Sequence, residues 1–190
     1  QTISFTDVSG HWAEDDILYA TRRGLFAGTS ATTFSPNLTL TRGMFVTVLG
    51  RLAGVEPSDY ESGKFSDVKN GAYYSAYVNW AASKGIVNGT SATTFAPDSD
   101  ITREQMAAIM TNYAEKMGYT LPKNQAAVTF ADVAKISAWA KDAVSAMQQA
   151  GILAGRANNQ FDPQGKATRA EAAAVLHRFV EGIIDAQAAD

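Results

Sequence analysis

Cysteine is missing from all 190 residues, which removes both a disulfide framework and a thiolate metal site and leaves stability to a packed core. A basic excess is missing too. Lys and Arg number 16 against 19 Asp and Glu, for a formal charge of −3, and the cations form no run, so nucleic acid is not an expected partner. No uninterrupted apolar stretch approaches the ~18 residues of a membrane span, and no membrane insertion is expected. Histidine is scarce. His11 and His177 share no spacing that suggests a triad or a metal box, so neither a catalytic site nor a metal or other cofactor is expected. Asp98-Ser99-Asp100 has the start of a calcium loop without its glycine or distal Glu, and reads as a polar turn. The chain begins at Gln1 without Met, as a processed product or an excised fragment would.

What is present is a globular composition, 46% apolar and 10% aromatic, written as one pattern three times. The anchors recur in fixed order. Phe5-Thr6-Asp7-Val8, Phe65-Ser66-Asp67-Val68 and Phe130-Ala131-Asp132-Val133 open the copies. Gly24, Gly85 and Gly151 follow, then Gly28, Gly89 and Gly155, then Phe34-x-Pro36, Phe95-x-Pro97 and Phe161-x-Pro163. The period is roughly 60 residues. It divides the chain into copies over 1–60, 61–124 and 125–190, expected to behave as one cooperative unit.

Two helices are predicted per copy. The first starts near Trp12, Tyr73 or Trp139, and its i, i+4, i+7 stripe is Ala13, Ile17, Ala20, repeated as Tyr74, Val78, Ala81 and as Ala140, Val144, Met147. Gly24, Gly85 and Gly151 end it in the left-handed conformation. The second, longer helix carries Phe45, Val48, Leu49 and Leu52, matched by Met106, Ile109, Met110, Tyr113 and by Ala172, Val175, Leu176, Phe179. Each long helix thus shows one apolar face. A single helix pair buries too little to stand alone, so the expectation is an all-α fold: three tandem helix-loop-helix repeats in one pseudo-threefold, three-pronged domain around a shared bundle of long helices. After Glu181 the chain continues through Gly182-Ile183-Ile184-Asp185 and ends in Ala-rich sequence that is expected to fray.

The long helices open on Thr41-Arg42, Thr102-Arg103 and Thr168-Arg169. Thr fits an N-cap, and Gln105 and Glu171, three residues later, complete capping boxes. Met44 stands at that place in the first copy, which is therefore expected to be the degenerate one. Capping does not explain the arginines, because the positive end of a helix dipole favours acidic residues. Two readings are open: unpaired N–H groups and a guanidinium fork that hold a carboxylate or phosphate together, or ion pairs to acidic side chains of a neighbouring copy.

Taken together, Phe-x-Asp-Val, Trp-Ala, Gly-Ile/Leu, Gly, Phe-x-Pro and Thr-Arg-Ala-Glu resemble the S-layer homology (SLH) module over nearly the whole chain. The resemblance implies a helical spindle that tethers bacterial surface proteins, outside the cell, to a secondary cell-wall polymer. It also implies a pyruvylated sugar as ligand, held in grooves between repeats, with Arg42, Arg103 and Arg169 as the anion-contacting residues. Other surface-layer subunits are further possible partners. Against the family pattern, only Glu171 keeps the motif's Glu, and the usual Asp-Gly before the phenylalanine is replaced in all three loops.

Other candidate ligand contacts each have a structural alternative. Asp7, Asp67 and Asp132 could accept hydrogen bonds from sugar hydroxyls or cap the turn that follows them. Trp12, Tyr73 and Trp139 could stack on a sugar or serve as core lids. Gly28, Gly89 and Gly155 permit close backbone approach to a ligand or a turn with positive φ. The competing function is a protein-interaction scaffold on the cell surface whose arginines form inter-repeat ion pairs.

Overall fold

The computed structural model describes residues 2–189. Its regular elements are helices: α1 (Glu14–Arg22), α2 (Arg42–Leu52), α3 (Ser75–Ser83), α4 (Arg103–Lys116), α5 (Lys141–Gln149) and α6 (Arg169–Phe179), joined by short 3-10 turns. Among the described residues, pairing outside helices is limited to isolated bridges. The short helices α1, α3 and α5 bury the predicted stripes. They stop at Gly24, Gly85 and Gly151, whose φ values of 71°, 75° and 74° suit only glycine well. Thr41, Thr102 and Thr168 cap the long helices by accepting from the third residue's N–H, with full boxes at Gln105 and Glu171.

Of the long helices α4 keeps one buried face, with Met106, Ile109, Met110 and Tyr113 buried and Gln105, Ala108 and Asn112 part-exposed, whereas in α2 every residue from Phe45 to Gly50 is buried, and α6 is buried from Ala172 to Leu176. The latter two are surrounded by protein, and such a helix buries most of its circumference. Small residues make room for close neighbours: a Cβ on Gly50 would come within 2.2 Å of the Tyr77 ring.

Pairing runs between copies. The α3 helix packs on α2, α5 on α4, and α1 on α6, so each prong joins the short helix of one copy to the long helix of the copy before it, and the last joins the first. At the centre the backbone closes the same cycle. Leu40 N–H donates to Ala167 O at 3.1 Å, Ile101 N–H to Leu40 O at 2.8 Å, and Ala167 N–H to Ile101 O at 2.9 Å. The first and last copies are also clasped by His177. Its Nδ1 lies 2.8 Å from Asp16 of α1, its Nε2 lies 3.1 Å from Glu181, and its ring stacks on Tyr19 at 3.8 Å.

Among the described residues the C-terminal segment is helical as far as Ala188. Val180–Asp185 forms a π-helical turn that buries Val180 and Ile183, and Ala186–Ala188 continues it. The Gln187 side chain then bonds both the N–H and the carbonyl of Thr120, which ties the tail to the linker before the third copy.

Candidate functional site

Each motif arginine crosses into the next copy. Arg42 Nε donates to Phe95 O at 3.0 Å, Arg103 Nε to Phe161 O at 2.8 Å, and Arg169 Nε to Phe34 O at 2.9 Å. The guanidinium carbons lie 4.6, 4.9 and 4.5 Å from the centres of those same phenylalanine rings. All three arginines are buried, Arg103 to 1% exposure. Burial pulls each below the ordinary arginine range, and Asp67, Glu171 and Asp7 respectively push back. All three stay cationic at neutral pH.

The helix N-termini are not open anion cradles. Arg42 and Gly43 N–H donate to Ser99 O and Pro97 O, both at 2.9 Å; Arg103 and Glu104 N–H donate to Gly165 O and Pro163 O; Arg169 and Ala170 N–H donate to Leu38 O and Pro36 O. Carbonyls of the neighbouring copy occupy the amides that an anion would have used. Any anion chemistry is left to the guanidinium groups.

The Phe-x-Pro turn that receives the arginine is itself held by the motif aspartate. Ser35, Ala96 and Asp162, between Phe and Pro, have φ of 57°, 58° and 57°, a left-handed conformation costing a non-glycine residue about 1–2 kcal/mol. Asp7 accepts from Phe34 and Ser35 N–H at 2.9 and 2.8 Å, Asp67 from Phe95 and Ala96, and Asp132 from Phe161 and Asp162 at the same distances. The aspartates therefore clamp a turn far along their own copy; they do not cap the turn immediately after them. The Phe34 N–H holds the Asp7 carboxyl below its usual range, against the opposing pull of burial. At Asp132 burial opposes, and the Phe161 and Asp162 N–H groups outweigh it.

Gly28, Gly89 and Gly155 do not adopt positive φ. Their need for hydrogen comes from close approach: a Cβ at Gly28 would lie 2.6 Å from the Phe5 ring, and Gly89 and Gly155 meet Phe65 and Phe130 in the same way.

Two open clefts lie beside the arginines. One, of about 450 Å³, is lined by Arg103, Gly155, Arg156, Glu171 and Arg178, with Trp12 of the first copy on its rim. The other, of about 630 Å³, is lined by Arg42, Asn88, Gly89, Gln105 and Asn112, with Trp139 of the third copy on its rim. Trp12 and Trp139 are 62% and 61% exposed, and Tyr73, at the same phase and in electrostatic reach of Arg169, is 55% exposed. These rings are not core lids. The helix they precede turns its buried stripe one residue later, at Ala13, Tyr74 and Ala140.

A groove thus takes its arginine from one copy, its glycine and capping-box residue from the next, and its aromatic ring from the third. The clefts differ accordingly. Glu171 accepts from Arg103, Arg156 and Thr168 N–H, so the carboxylate that completes the capping box also occupies the guanidinium of Arg103. Glu171 and Asp162 hold Arg156 above its ordinary range despite burial. In the Arg42 cleft neutral Gln105 stands at that place, and among the described residues Arg42 has no ion-pair partner. The capping-box residue beside Arg42 is thus supplied by the second copy, and Met44 of the first copy does not line that cleft.

Two features escaped the sequence reading. Arg51, Asn112 and Arg178 each donate to the carbonyl after the helix-ending glycine, Leu25, Ile86 and Ile152 respectively, at 3.3, 3.1 and 3.3 Å. The signal was a polar residue at a fixed distance after each motif arginine. Arg156 is the other, visible only as a cation replacing Thr29 and Thr90 in the divergent third loop.

A family model described as the S-layer homology domain matches residues 4–43, 64–107 and 129–173. The chain is 38% identical to an amylopullulanase of Thermoanaerobacterium thermosulfurigenes over 94% of its length, 28% identical to an S-layer protein of Bacillus thuringiensis subsp. finitimus over 90%, and 31% identical to a cellulosome-anchoring protein of Acetivibrio thermocellus over 73%. It spans only 10%, 20% and 31% of those proteins.

Proposed function

This chain belongs to the S-layer homology domain family, and from that membership we propose that it anchors a larger bacterial surface protein by gripping a pyruvylated sugar of a secondary cell-wall polysaccharide in grooves between copies. The coarser part, a cell-wall-associated anchoring module at the cell surface, follows from the family itself. The observation that carries the finer part is Arg42. A buried cation without an ion-pair partner among the described residues lies at the base of an open cleft of about 630 Å³, with Gln105, Asn88 and Asn112 beside it and the exposed Trp139 ring on the rim. A carboxylate entering this cleft meets a guanidinium already stripped of water, and the sugar's apolar face meets an indole.

The module carries no chemistry of its own in this reading; catalysis belongs to whatever it is attached to. The scaffold alternative is favoured at one place only, the Arg103 cleft, where Glu171 of the next copy supplies the inter-repeat ion pair. The test is retention of the module by purified wall polymer before and after chemical removal of pyruvate. Loss of retention on removal is expected; equal retention by both polymers would sink the charge mechanism.

A further inference from the structure

A third cleft, of about 660 Å³, lies away from the motif arginines, between the linker after the first copy and the start of α3. The linker forms a 3-10 turn over Pro57–Tyr60, and it is held down from beneath: the buried Asn79 of α3 donates to Tyr60 O at 3.0 Å, and Gly63 sits so close to Asn79 that a Cβ would fall 2.0 Å from its Oδ1. The cleft is thus a built feature of the fold. Among the described residues the linker before the third copy forms no such turn.

Its lining is distinctive. Glu56 and Glu61 supply carboxylates, Asn70 an amide, and Tyr73 and Tyr77 flat rings with hydroxyls; no Lys or Arg lines it. Ser75 is the decisive residue. It is only 6% exposed, it lines the cleft, and among the described residues its hydroxyl has no hydrogen-bond partner. The equivalent residues in the other copies are Glu14 and Lys141, long charged side chains in place of a recessed hydroxyl. Glu61 and Asn70 likewise have no side-chain partner among the described residues. A recessed hydroxyl, an uncommitted carboxylate and an amide facing two tyrosines are complementary to a ring that offers several hydroxyls on its edge and C–H groups on its face. The carboxylates and the lack of any cation exclude an acidic unit.

We propose that this cleft is a second carbohydrate site, selective for a neutral saccharide unit, with Glu61 and Ser75 accepting and donating to sugar hydroxyls and Tyr77 and Tyr73 stacking on the ring. The wall polymer carries neutral as well as acidic units in this reading, which rests on the polysaccharide function above but needs none of the arginine grooves. A module with both sites would hold the chain at two kinds of unit, and the gain would come from the high effective concentration of the second unit once the first is bound.

The experiment is a backbone-amide NMR titration of the whole module with two neutral probes, cellotriose and triacetylchitotriose. Saturable shifts clustered at residues 56–61 and 70–77 are expected for at least one probe. Glu61→Gln and Ser75→Ala should each weaken it about tenfold, the scale of one well-made hydrogen bond, whereas Arg42→Ala should leave the shifts unchanged. Absence of shifts with both probes, shifts gathered around Arg42 or Arg169, or shifts that persist at full affinity in both cleft variants would overturn the proposal. The anionic groove is read by retention before and after pyruvate removal and this cleft by the neutral probes, so the failure of one is distinguished from the failure of the other.

Discussion

The three motif arginines share one sequence context and differ in what they are free to do. Arg103 commits its guanidinium to Phe161 O, Ala154 O and Glu171, and Arg169 to Phe34 O and Ala27 O, whereas among the described residues Arg42 makes a single bond, to Phe95 O. Calorimetry with a pyruvylated saccharide should therefore show Arg42→Ala losing about 1.5–3 kcal/mol, the worth of a hydrogen bond to a charged group. Arg103→Ala should lose much less affinity. In contrast, Glu171→Gln should strengthen binding at the Arg103 cleft, because it withdraws the internal carboxylate that competes with the ligand; unchanged affinity there would show that the ion pair is not what closes the site. The motif aspartates belong to a different ledger of effects. Asp7 and Asp132 are held below their ordinary range by backbone N–H groups, and an unfolded Asp titrates near 3.9. Their stabilisation is complete above the unfolded value and is lost as pH falls through the lower folded one. Urea midpoints should stay flat from neutrality to about pH 5 and drop below about pH 4, and Asp132→Asn, with one acceptor in place of two, should cost about 1–3 kcal/mol at neutral pH.

At the scale of the element, the Phe-x-Pro turn is the unit that connects fold and site. Its phenylalanine is fully buried, its carbonyl receives the arginine of the preceding copy, and its middle residue is forced into left-handed backbone by the aspartate clamp. Ala96 adopts that conformation with no glycine to ease it. Ala96→Gly should raise the melting temperature slightly, by the equivalent of roughly 0.5 kcal/mol, because relief of strain narrowly exceeds the entropy that glycine adds to the unfolded chain; a fall would mean the strain is smaller than the φ value implies. Helix starts, glycine stops and the buried phenylalanines were legible from local signals, since caps and breakers act within a few residues of where they are written. The aspartate clamp was not, because its partner lies some 27 to 30 residues away and nothing in Phe-x-Asp-Val points there.

At the scale of the whole molecule the copies are linked in a closed cycle, through helix pairs, arginines and the central backbone bonds. No copy has its own helix pair. Urea unfolding followed by far-UV circular dichroism and by tryptophan fluorescence, to which the buried Trp80 contributes beside the exposed Trp12 and Trp139, should therefore coincide in one transition, and removing residues 2–25 should destabilise α6 as well as the first copy, since α1 is its packing partner. Separate transitions would contradict the cyclic account. The order of residues was enough to establish the threefold repeat, the helices, the core phenylalanines and the family, because periodicity and capping are local properties of a chain. It could not say which copy's residues meet in one groove. The degenerate motif at Met44 pointed to the first copy as the doubtful one, yet the Arg42 and Arg103 clefts each take their capping-box residue, Gln105 and Glu171, from the copy after the arginine's own. Only the packing of one copy against the next decides which cation keeps an open cleft, since that depends on contacts between segments more than fifty residues apart, and the rotation that brings them together is a property of the assembled core.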